Sequence, residues 1–118
     1  YTPKIKDLEA KGNAHQKITE CINYWLTVLG VPPNNRPDAL GYAVIQNFFV
    51  EKMNYVSPEQ LILAIDLANQ KKFECDLTLY NRTFSVGFIT PIVINYLAYE
   101  KTIKDTKIAE NQKKLVAV

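Results

Sequence analysis

Glu74 and Asp76 are the two carboxylates whose spacing best suits them to chemistry. In an extended segment, residues two apart share a face, so this pair could hold a cation or divide acid and base work. No third ligand and no basic partner stands near them in sequence, and charged residues that alternate toward water give the same spacing. We therefore read them as a solvated face. The lone histidine, His15, and the two cysteines, Cys21 and Cys75, are scattered rather than gathered at the spacing a metal site needs. His15 reads as a solvated residue in a first helical turn. GxSxG, phosphate-loop and dinucleotide-loop patterns are absent, and the four glycines are isolated. No catalytic, cofactor-binding or metal-ligating residue is assigned, and the chain is read as non-enzymatic.

Binding features are better represented. Lys101, Lys104, Lys107, Lys113 and Lys114 crowd the last 18 residues against only Asp105 and Glu110. Lys101, Lys104 and Lys107 recur every three residues, a cationic face that could meet phosphates or an acidic partner, or simply a solvated helix end. Lys71, Lys72 and Arg82 form a second, looser basic group. At the end of a helix, Lys71 and Lys72 also complement the dipole, which is the plainer reading of that pair. Trp25 falls in an apolar stripe and reads as core.

The whole chain sets limits on these readings. Its 118 residues suit one domain, and 47% apolar with 22% charged residues suit a packed, water-surrounded core. Fourteen basic against twelve acidic side chains leave +2, too even to mark a nucleic-acid binder by charge alone. The cysteines lack CxxC partners and read as reduced thiols. No segment approaches the about 20 apolar residues of a membrane span, and none resembles a signal peptide. Because the chain starts at Tyr1, an N-terminal piece is expected to be missing.

The elements that must position these residues are helical. Residues 1–12 read as a short helix or a loose arm. Asn13 caps a helix with apolar positions Ile18, Cys21, Ile22, Trp25, Leu26 and Leu29, and Gly30 ends it. After the proline-rich VPPNNRPD loop, Pro37 or Asp38 starts a helix apolar on so many sides that a central place is expected. Its Gly41 is expected to mark close packing on a neighbour. Ser57, Pro58 and Gln60 form a capping box before a helix that runs to about Gln70. From Phe73 to Leu79 the period becomes two. This is an extended connector pinned by its apolar residues, or, alternatively, an edge open to a partner strand. Ser85 caps a short turn, and Pro91 is expected to restart the last helix. The end from residue 108 could fray. The expected fold is all-α: a compact bundle of four to five helices with an extended connector near 73–79, in a single domain over 1–118.

Ser57, Glu59, Leu61, Ala64, Leu67, Ala68 and Lys72, followed by Tyr80, Phe84, Ser85, Asn95, Tyr96 and Tyr99, carry a resemblance. The segment resembles small helical replication-associated proteins from phages and mobile elements of Bacteroides-type bacteria, similar in kind to helicase loaders and replisome organisers. It covers roughly residues 56–101. Ile65, Gln70, Lys71 and Pro91 depart from the pattern, and most matches are cap, core and turn positions. The resemblance implies a protein-binding adaptor in DNA replication. Its expected partner is a replicative helicase or other replication protein, with nucleic acid as a further ligand, in the host bacterial cytoplasm. The alternative is a virion structural or cargo protein that assembles through the lysine-rich end and its LVAV tail. An inhibitor of a host enzyme is a third reading.

Overall fold

A computed structural model describes residues 2–79 and 83–116, with side chains as far as Glu110. Among the described residues stand five α-helices, one short 3-10 turn and no strand, an all-α bundle. The helices are α1 (Ile5–Ala10), α2 (Ala14–Val28), α3 (Ala39–Lys52), α4 (Pro58–Asn69) and α5 (Val86–Val116), with the 3-10 turn at Pro33–Asn35.

Local chemistry fixes most helix ends. Ser57 Oγ accepts from the Gln60 amide at 3.1 Å, and Gln60 Oε1 accepts from the Ser57 amide at 2.9 Å, the reciprocal pair expected at the start of α4. The Asp38 carboxylate accepts from the Gly41 amide at 2.8 Å and starts α3. Asn13 takes the cap position of α2, but its side chain makes no capping bond. Three helices close in the same way. After α1, α2 and α4, the residue past the C-cap turns to positive φ, and two amides bond back to the last turn: Gly12, Gly30 and Lys71. At α4 the bonds run from the Lys71 amide to Ala68 and from the Lys72 amide to Leu67, both 3.0 Å. The change of character at Lys71 is thus a left-handed helix stop built on lysine where glycine is usual.

One continuous apolar core joins the helices. Ile18, Ile22, Trp25 and Leu26 of α2 meet Leu61, Ala64, Ile65 and Ala68 of α4, and α4 in turn packs on Phe88, Ile89, Ile92, Val93 and Tyr96 of α5. Trp25, expected in the core, is buried. The enclosed space among Trp25, Phe49, Leu61, Phe84 and Ile89 is only about 10 Å³, below what a ligand needs. Of the two alternatives for residues 1–12, the short helix holds: Ile5–Ala10 form α1, Ile5 is fully buried, and its amide donates to the Val56 carbonyl at 2.8 Å.

Phe73, Cys75, Leu77 and Leu79 are half-buried, whereas Glu74, Asp76 and Thr78 are exposed, as expected of an extended connector pinned by alternate side chains. Asn95 of α5 donates to the Glu74 carbonyl at 3.1 Å and ties the connector down.

Three expectations need correction. α3 touches α1, α2 and α5, but it is not enclosed by them: only Ile45 and Phe49 of it are buried, and Leu40 and Val44 are 72% and 54% exposed. Its apolar residues lack helical periodicity, so one face packs while others meet solvent. Gly41 does not mark a neighbouring helix. A Cβ there would lie 2.9 Å from Pro37 Cβ, so the crowding comes from the helix's own entry segment. Pro91 does not restart a helix; α5 runs through it without a break. The lost amide bond is to Gly87, an exposed residue whose carbonyl can turn to water. Phe88 and Ile89 before the proline, and Ile92, Val93 and Tyr96 after it, are all buried. Burying five such side chains is worth several kcal/mol, more than the roughly 3 kcal/mol that a helical proline costs.

Candidate partner-binding helix

The expected basic face lies on α5, and Glu100 marks where that helix leaves the core. Glu100 accepts from three groups: the Tyr96 hydroxyl one turn back, Gln60 Nε2 at 3.2 Å, and Lys104 Nζ at 3.1 Å one turn on. Burial pushes the Glu100 carboxyl up, but these hydrogen bonds and the Lys104 charge outweigh it and hold the group below its ordinary value. Burial, followed by the bond to Glu100, raises the Tyr96 phenol, so the proton between them stays on the tyrosine. Gln60 thus serves twice: it completes the cap of α4 and clamps α5.

Beyond Glu100, every residue from Lys101 to Glu110 is exposed. A helix of 31 residues is about 46 Å long, and the molecule extends 60 Å along its longest axis. Its radius of gyration is 16.5 Å, against about 13.5 Å for a compact chain of this length. The end of α5 therefore overhangs the bundle. The segment from residue 108, read as an end that could fray, is helical as far as Val116.

Lys101, Lys104 and Lys107 are exposed on this overhang, as the spacing suggests, though Lys104 is engaged by Glu100. Ile103 and Ile108 interrupt the polar surface at 39% and 55% exposure. The side chains of Lys113 and Lys114, and all of Arg82, lie outside the described residues, as does Tyr80. Lys71 and Lys72 are exposed, and Lys71 forms the stop of α4. The following Phe73 ring lies 6.3 Å from the Tyr96 ring and 5.7 Å from the Tyr99 ring, centroid to centroid. This ring contact ties the segment that follows the two-lysine turn to the root of the overhang. Sequence reasoning did not single out Gln60 and Glu100, whose pairing spans 40 residues; its only trace is the capping box.

His15 is exposed, and Cys21 and Cys75 are free thiols. Burial, followed by the nearby Glu59 and Glu20 charges, pushes the Cys21 thiol up to about 12. Among the described residues, no three His, Cys, Asp or Glu side chains gather as a metal site would require, and no helix is long and apolar enough to cross a membrane. The chain matches no protein-family model, no curated protein and no solved structure.

Proposed function

We propose that the chain is a non-enzymatic, protein-binding adaptor in phage or mobile-element DNA replication, of the helicase-loader kind, with the α5 overhang as its contact element. The observation that carries this reading is the exposure of every residue from Lys101 to Glu110 on a helix whose first half is core. A helix with no cover from Lys101 to Glu110 gains little stability there from packing, which is where most helical stability comes from. Such a surface suits a partner that supplies the missing cover. The lysines fit an acidic protein surface or nucleic-acid phosphates, and the link to replication comes from the resemblance over residues 56–101.

Affinity capture of the full chain from host lysate, read by mass spectrometry, tests the reading. Recovery of a replicative helicase or primase supports it. Recovery of capsid or portal proteins instead turns the account to a virion protein assembling through α5.

A further inference from the structure

The connector between α4 and α5 leaves one backbone edge unpaired. Residues 74–79 run without turn or bend, and the alternate burial of their side chains marks an extended chain. In such a chain the N–H and C=O of one residue point to the same side, and those of the next residue to the opposite side. The Glu74 carbonyl accepts from Asn95 of α5, so the even-numbered residues turn their backbone groups toward α5. Cys75 and Leu77 therefore turn theirs away from it. Among the described residues, no hydrogen bond reaches the amide or the carbonyl of either.

An open cleft of about 940 Å³ lies along the connector, walled by Ala68 and Asn69 at the end of α4 and by no described residue of α5. Ligand pockets span roughly 300–1,000 Å³, so there is room for a short peptide. The free donor–acceptor pairs of Cys75 and Leu77 repeat at about 6.8 Å, the two-residue rise of a strand. A helix satisfies its own amides and carbonyls and cannot answer this pattern, whereas an extended chain can. The charges set its direction and composition. Lys71 and Lys72 stand exposed where the connector begins, and Glu74 and Asp76 are exposed on its outward face. An antiparallel strand, the more stable pairing, places its C-terminal end beside the two lysines.

We infer that the edge at Cys75 and Leu77 docks an extended segment of a partner protein, added as an antiparallel strand. The segment carries carboxylates at its C-terminal end, against Lys71 and Lys72, and a basic residue on its outward face, against Glu74. Its alternate residues turn inward over the end of α4. The site stands apart from the α5 overhang: it recognises backbone, whereas the overhang offers side chains.

The probe is a phage-displayed library of random peptides of about nine residues, panned on the immobilised full chain. Peptides that alternate β-branched with basic residues and end in acidic ones should be enriched. Two variants then separate backbone from side chain. Leu77→Pro removes the outward amide, which no bond among the described residues uses, while Leu77→Ala keeps the amide and loses more of the side chain. Binding of the enriched peptide should fall at least about tenfold in Leu77→Pro and stay within about threefold of wild type in Leu77→Ala. A second measurement needs no variant: the bound peptide should slow hydrogen exchange at the Cys75 and Leu77 amides at least about tenfold. Exchange from Lys101 to Glu110 should not change, and K101E/K107E should bind the peptide as wild type does. Failure to enrich, equal binding by Leu77→Pro, or unchanged exchange at both amides overturns the inference. So does slowing of those amides in the free chain as its concentration rises, because the edge would then belong to a second copy.

Discussion

The indole Nε1 of Trp25 donates to the main-chain carbonyl of Leu61 at 2.8 Å, tying the last turn of α2 to the first turn of α4. Both residues are buried, and the Trp25 ring also meets Phe84 edge-on at 6.5 Å. This contact joins the N-terminal helices to the pair that carries the overhang. Trp25→Phe removes the donor while keeping most of the ring and should cost about 1–2 kcal/mol. Trp25→Ala leaves a cavity as well and should cost about 3–5 kcal/mol. Urea denaturation of the two variants measures both.

Lys71 holds a φ of +60°, the left-handed conformation that side-chain-bearing residues adopt at a cost of roughly 1–2 kcal/mol. It is exposed, and its amide bond to Ala68 does not depend on the side chain. Lys71→Gly should therefore raise stability by about 1 kcal/mol, offset in part by the greater freedom of glycine in the unfolded chain. An increase in thermal midpoint is the expected reading; a decrease would give the lysine side chain a stabilising role of its own.

Gln60 and Glu100 should behave as a unit. Gln60→Ala keeps the amide bond to Ser57 Oγ but removes the Gln60 side-chain half of the α4 cap and the clamp on α5, for a loss of about 1–2 kcal/mol. A double-mutant cycle with Glu100→Ala should show losses that do not add, since one bond is broken in each single variant. Because the Glu100 carboxyl is held below its ordinary value of 4.5 in the fold, its contribution is present above that pH and is lost as pH falls through the folded value. Glu100→Gln should flatten the acid limb of the stability profile.

The thiols should separate by reactivity. Cys21 is buried, its thiol is raised from 9.0 to about 12, and it donates to the Pro58 carbonyl at 3.6 Å. Cys75 is half-buried and less perturbed, with burial the main cause of its rise. A thiol reagent at pH 8 should modify Cys75 in the native protein and Cys21 only after unfolding. A group whose acid form is favoured by the fold contributes stability below its unfolded value, so the Cys21 contribution should fade between about pH 9 and 12.

Much of this was legible in the chain because its signals are local. Ser57 with Gln60, Asp38 before Gly41, and Gly30 after Leu29 each act within one helical turn, and the period-two run from Phe73 reports its own burial. What was not legible depends on distant partners. Leu40 and Val44 are as apolar as core residues, and only the placement of α3 leaves them in water. Pro91 carries a local penalty that burial on either side outweighs. The end of α4 near Gln70 was legible from the change of period, but the left-handed turn at Lys71 has no glycine to announce it, and the overhang follows from how little of the bundle reaches past Glu100.

Capture by wild type and by K101E/K107E from the same host lysate separates the α5 overhang from every other surface of the bundle as the contact element. The wild-type chain should retain a replicative helicase or primase, and the variant, folded by circular dichroism, should lose at least about tenfold of that retention. Equal retention by both chains would contradict it, because the partner would then be held by a surface other than the overhang.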